Sequence, residues 1–496
     1  MQPPDMGCCY YMDRRRFFKN ATLGAGAATG FSGQWAHAQS NTASAEPTPV
    51  APAALTAELA IMPWFCAHEH WGSSDVFGAG QEGYLADSEA GAVPQRTATV
   101  WDIVLEPYFG GWLVNAGCNV YDEALRRGHQ DIYEWWHAHP EQVLAFFETP
   151  LRRQHGVGAL ECTRQGMTLL YDTDILSEDP AVWQQADAAV AKAYGDVFAW
   201  YENVIAHHAI SEVIRPVQPE FFFHDGARPE EERRIMHPIL RIDPLLDLWG
   251  ASNPRRDRLA AAVGVEPRDA ASWRAFIKAL FDLAADKGNV GIKQLQAYTR
   301  HLNYVVWPDD EVVFTGPLNP TQRLVFQDWV MHACCMEAHE RGWPHQIHVG
   351  THNLDQSSPL PLTGMAERYP NMKLVLLHCW PFVEEAGFLA KHHPNVYLDA
   401  CWQSVLNPAF LEQSFTRWLG YLPSHKIMSS QDATTIEMAV GSLSITRGIL
   451  ARTLATWGNK WRLPLNSLRA YAADIAHNNA VAVYGIGSPH TPEASP

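Results

Sequence analysis

Eight short apolar runs, each of six or seven residues, are separated by segments of helical periodicity, and this alternation leaves few folds open. The runs are "IMPWFCA" (61–67), "MTLLYD" (167–172), "HPILRID" (237–243), "VGIKQLQ" (290–296), "HQIHVG" (345–350), "KLVLLHC" (373–379), "NVYLDA" (395–400) and "KIMSSQD" (426–432). Between them, segments such as "AVWQQADAAVAKAYGDVFAWYENVI" and "PTQRLVFQDWVMHACCMEAHERG" place apolar residues three and four apart, the spacing of one helix face. Strands alternating with helices predict a parallel sheet, because parallel neighbours need a long crossover. Eight such units predict an α/β fold, a closed (β/α)8 TIM barrel. The last four strands recur every 20 to 35 residues, whereas the first two lie about 100 apart. The excess, at 72–166 and again at 175–235, reads as a helical cap inserted between the first and third strands. Residues 433–484 read as closing helices. The barrel domain is therefore placed at 58–485, with a disordered tail at 486–496.

The N-terminal stretch "DRRRFFKNATLGAGAATGFSGQWAHAQS" opens with Arg14, Arg15 and Arg16, followed by Phe17 and Phe18. A Gly/Ala-rich run follows, and "AHA" at 36–38 offers small residues for cleavage. This predicts a twin-arginine signal over 1–38, a flexible linker over 39–57, and a periplasmic or otherwise exported protein handled by the twin-arginine machinery. The net charge of −17 argues against nucleic acid or anionic membrane as a partner. No later run reaches the ~18 uninterrupted apolar residues of a spanning helix, so no membrane span is expected. Nine cysteines without a CxxC pair do not form a disulfide scaffold, although a single bridge is left open.

In a parallel barrel the C-terminal ends of the strands line the site. The first run ends in His68-Glu69-His70. Side-chain alternation puts the two imidazoles on one face and turns Glu69 away. One such pair among 23 histidines is a weak signal. Its partners strengthen it: Lys293 in the fourth run, His348 in the fifth, His378 ending the sixth and Asp432 ending the eighth. Each interrupts or follows an apolar run, where a charged or polar group is costly unless paired or bound. Together they offer imidazole and carboxylate ligands suited to zinc, and also to manganese or iron. A bound divalent ion would acidify a water and polarise a carbonyl, and Asp432 could move the proton.

The order HxH, Lys, His, His, Asp on strands one, four, five, six and eight resembles the amidohydrolase superfamily. "PHQIHVG", "YPNMKLVLLHCWPFVEEAGFLAKHHPNVYLDA" and "KIMSSQDA" resemble its amidohydrolase-related branch, nearest to the hydrolase half of amidohydrolase–glutamine synthetase fusion proteins. "GIKQLQAYTR" is similar to that group's fourth-strand segment, while Gln431 stands where a small residue is common. The resemblance implies that His68, His70 and Asp432 bind a metal and that His348 completes the site. It implies that His378 binds a second ion or acts as an acid or oxyanion donor. Lys293 would bridge two metals if carboxylated, and otherwise serve structure or substrate. One or two ions are thus expected.

Arg241 and Arg300 are candidates for holding a substrate carboxylate, with structural ion pairing as the equal alternative. Trp380 and His352 are candidates for touching substrate, Trp71 for walling the pocket, and Asp399 for orienting a ligand. For Asp432 the rival reading is a helix N-cap. The expected function is an exported, metal-dependent hydrolase cleaving a C–N or C–O acyl bond in a small polar substrate. A decarboxylase or sugar-acid isomerase on the same barrel is the nearest alternative, and a non-catalytic solute-binding barrel is the alternative of another class. Homo-oligomer formation is left open.

Overall fold

The computed structural model describes residues 50–71, 98–223 and 233–492. The signal expected over 1–38 lies outside them. Eight strands form one parallel sheet in sequence order: β1 (Trp64–Cys66), β2 (Ile210–Val217), β3 (His237–Arg241), β4 (Ile292–Gln294), β5 (His345–Gly350), β6 (Leu374–Trp380), β7 (Val396–Asp399) and β8 (Ile427–Met428). The sheet curls until its first and last members meet. Just past their ends, His70 N–H donates to Ala433 O at 2.9 Å and Asp432 N–H to His68 O at 3.0 Å. Asp399 fastens the same seam, accepting from Ser430 N and Oγ at 2.8 and 2.7 Å, and Ser430 Oγ accepts from Ala67 N at 2.8 Å.

The second strand is a correction. "MTLLYD" is the end of the helix Gly158–Tyr171. Read from 158, its buried residues Leu160, Cys162, Thr163, Gly166 and Met167 follow helical spacing, which six residues alone cannot reveal. The strand itself is "ISEVIRPV", whose polar members hid it. Ser211 bonds His477 at 2.9 Å and Glu212 bonds His237 at 2.8 Å. The described helices from Val100 to His207 therefore all fall between β1 and β2. They share an aromatic centre in which Trp101 stacks on Trp183 (5.1 Å) and Phe147 (4.9 Å). Trp71 packs against Tyr201 at 4.9 Å and lies outside the barrel mouth.

Two further boundaries move. The end of the expected linker forms the helix Pro52–Ile61, which starts on proline and buries Leu55 and Leu59, one helical turn apart. The start of the expected tail is held in place: Asn478 exchanges two hydrogen bonds with the His490 backbone, at 2.7 and 2.9 Å. The barrel interior is filled by Phe65, Ile214, Ile239, Leu377 and Met428 together with Val481 and Tyr484 of the C-terminal helix Asn479–Tyr484. The seven cysteines in the described residues are buried and free. No described helix is long and apolar enough to cross a membrane.

Candidate metal centre

A cavity of about 320 Å³ opens at the C-terminal ends of the strands. His68, His70, Arg241, Lys293, His348, His378 and Asp432 all line it. Backbone geometry explains how some of them get there. Leu377 packs into the barrel interior, so regular alternation would turn His378 outward. His378 instead has φ 64° and Asp432 φ 53°, left-handed conformations that cost a side-chain-bearing residue energy. The break in alternation aims both side chains into the mouth. The HxH pair likewise sits just beyond β1 and not on it, held between β2 and the segment after β8 by Glu69 N–H to Ile214 O at 3.0 Å and by the seam bonds. Glu69 points away, as alternation predicts. Its carboxylate accepts from Gln431 N and Ala433 N at 2.9 and 3.1 Å, and burial pushes its pKa up to about 8.

Asp432 is the hub. One oxygen, Oδ1, lies 3.3 Å from His70 Nε2 and 3.7 Å from His68 Nε2, while Oδ2 lies 3.3 Å from His378 Nδ1. Cys401 Sγ sits 3.2 Å from the same His378 nitrogen. These atoms form two overlapping donor groups, His68–His70–Asp432 and His378–Cys401–Asp432. His68 Nε2 is buried with no hydrogen-bond partner. An orphaned imidazole nitrogen facing a carboxylate and a second imidazole is the arrangement a divalent ion would complete, and the N, N, O donor set suits zinc, manganese or iron. The helix Ile436–Trp461 is capped by Thr435, which accepts from Met438 N, so Asp432 is not the cap.

Burial holds the pKa values of His68, His70, His348 and His378 well below the ordinary range, which keeps these imidazoles neutral and able to donate a lone pair. Asp432 is pushed up to about 7 by burial, against the pull of Lys293. Lys293 is lowered to about 8 by burial, and its ammonium nitrogen has no hydrogen-bond partner. His348 Nε2 bonds Thr351 Oγ1 at 2.6 Å, and its ring lies 4.4 Å from that of His378.

Other candidates fall outside the lining. Arg300 is buried in an ion pair with Asp328 at 2.5 Å. Trp380 lies against Phe410. His352 is exposed and stacks on Tyr298 at 4.4 Å, beside the mouth. Among the lining residues that sequence reasoning missed are Arg215, Tyr108, Tyr298 and Trp402. Arg215 went with the missed second strand. Tyr108, on the helix Pro107–Asn115 between β1 and β2, donates to Asp432 Oδ1 at 3.2 Å.

An amidohydrolase family model matches residues 248–432, a stretch that carries Lys293, His348, His378 and Asp432. Protein fluG of Emericella nidulans is 29% identical over 184 residues, covering 32% of this chain and 21% of its own, so the match spans about a fifth of that relative. The fold is shared with a glucuronate isomerase from Caulobacter crescentus, with a TM-score of 0.66, 14% identity, and coverage of 88% of this chain and 93% of that one. It is shared less closely with a protein assigned as a metal-dependent hydrolase from Lactobacillus casei, with a TM-score of 0.54, 16% identity, and coverage of 87% and 97%.

Proposed function

We propose that this chain is a metal-dependent hydrolase of the amidohydrolase superfamily, acting on an acyl C–N or C–O bond of a small acidic substrate. The observation that carries the reading is the buried, unpartnered His68 Nε2 facing His70 and the Asp432 carboxylate. His68, His70 and Asp432 would hold the ion. His378, with Cys401 and the second oxygen of Asp432, would extend the site toward a second one. When bound, a divalent ion supplies Lewis acidity to a water molecule and to a substrate carbonyl. Asp432 takes the proton of the attacking water and returns it to the leaving group. Tyr108 donates to that carboxylate and keeps it oriented. Arg215, Arg241 and Lys293 line one cavity, Arg241 in an ion pair with Asp243 at 2.7 Å, and three basic side chains around one mouth in a chain of net charge −17 favour an anionic substrate.

The test is metal analysis of the purified protein, followed by assays on N-acyl amino acids and acidic lactones in ¹⁸O-labelled water. Bound divalent ion and one labelled oxygen per bond cleaved, carried by the new carboxylate, are expected. Absence of ion, with no activation on adding zinc, manganese or iron, sinks the reading. A sugar-acid isomerase is the second reading, favoured by the same three basic side chains and by the fold shared with a glucuronate isomerase. It requires product without solvent oxygen. We also propose export: Arg14→Lys with Arg15→Lys should keep the precursor inside the cell, read by fractionation.

A further inference from the structure

We propose that Gln346 and Tyr484 form a positioning relay that reaches up through the barrel and fixes which nitrogen of His68 faces the ion. The inference rests on the metal-centre reading above. Gln346 lies on β5, buried inside the barrel below the cavity. Its amide makes three hydrogen bonds: Nε2 donates to Ala67 O at 2.6 Å and to Tyr484 OH at 2.8 Å, and Oε1 meets His68 Nδ1 at 2.8 Å.

These contacts leave one consistent assignment. A backbone carbonyl only accepts, so the NH₂ group of Gln346 must face Ala67 O, and its oxygen must face His68. An amide oxygen also only accepts, so His68 Nδ1 must carry the proton. The lone pair is thereby placed on Nε2, the buried nitrogen with no partner that faces Asp432. Without Gln346 the neutral imidazole would be free to protonate either nitrogen and to rotate. Ligating histidines ordinarily take this orientation from a partner on the far ring nitrogen. Here that partner is a glutamine on the opposite side of the ring of strands, and its own orientation is secured at the bottom of the barrel. Tyr484 is the last residue of the helix Asn479–Tyr484, so the C-terminal end of the fold supports the first ligand.

The test measures metal affinity directly. Metal-free protein is titrated with Co²⁺, followed by its visible absorption, for wild type, Gln346→Leu and Tyr484→Phe. The melting temperature of each metal-free protein is recorded alongside. Gln346→Leu should weaken Co²⁺ binding about 10- to 100-fold. Tyr484→Phe should weaken it several-fold with little change in metal-free melting. Wild type that binds no Co²⁺ would overturn the metal reading, and the relay with it. Wild type that binds while Gln346→Leu binds equally well would overturn the relay alone. Should Gln346→Leu fail to fold, Tyr484→Phe decides, and unchanged affinity counts against the relay.

Discussion

Asp432 divides its two oxygens between two sets of donors, so a change there separates holding an ion from moving a proton. Asp432→Asn keeps the shape and one oxygen but cannot take up a proton as a carboxylate does. It is expected to lower kcat about 10²- to 10⁴-fold, while metal analysis still finds ion at reduced affinity. Steady-state kinetics with metal quantification checks this. This residue was readable because it follows an apolar run, as were His68, His70, Lys293, His348 and His378. Arg215 was not readable, because Glu212 and Pro216 disguise its strand. Tyr108 belongs to a helix outside the strand–helix repeat, and nothing local marks it as reaching Asp432. Arg300 looked like an anion-binding residue, yet its partner, Asp328, lies on the next long helix, Pro320–Arg341, which a linear reading cannot pair with it.

Two helices that sequence reading kept apart are in close contact. In Gly158–Tyr171 and Ile436–Trp461, a Cβ on Gly166 would overlap Glu437 O, and one on Gly441 would overlap Cys162 O. Gly166→Val or Gly441→Val is therefore expected to destabilise the protein by several kcal/mol, as overpacking against backbone does. Denaturant unfolding measures it. Within residues 167–172, Met167 is buried and Tyr171 OH donates to Glu437 Oε1 of the neighbouring helix at 2.7 Å, whereas Leu169 is 52% exposed, as on one face of a surface helix.

A second link between elements is Glu106. It caps the helix Pro107–Asn115, accepting from Tyr108 N at 2.8 Å and from Phe109 N, and it accepts from Thr434 Oγ1 beside the cavity. Burial raises its pKa to about 7. A carboxyl whose folded pKa exceeds its unfolded value stabilises fully below the unfolded pKa, about 4.5, and loses that stability as pH rises through about 7. Glu106→Gln cannot titrate. The wild type should therefore lose stability relative to Glu106→Gln between about pH 4.5 and 7, by up to about 3 kcal/mol. Parallel melts across that range test it, and equal slopes would count against the assignment.

At the scale of the molecule, a closed eightfold barrel was legible except for its second strand, while the bonds that close it were not, because β8 is two residues long and the seam bonds lie beyond it. An ion bound at that seam links to folding. At a free ion concentration about 100 times Kd it adds about 2.7 kcal/mol, so stripping with a chelator should lower Tm and re-addition should restore it. Calorimetry with and without the ion checks this.

The seam joins Glu69 to Ala433 across 364 positions, and its bonds flank the same histidines and carboxylate that form the centre. A chain still being synthesised has no such centre until its last strand has emerged and found its first. The donor set is complete only once the first and last strands have met, so the centre and the closed barrel form together.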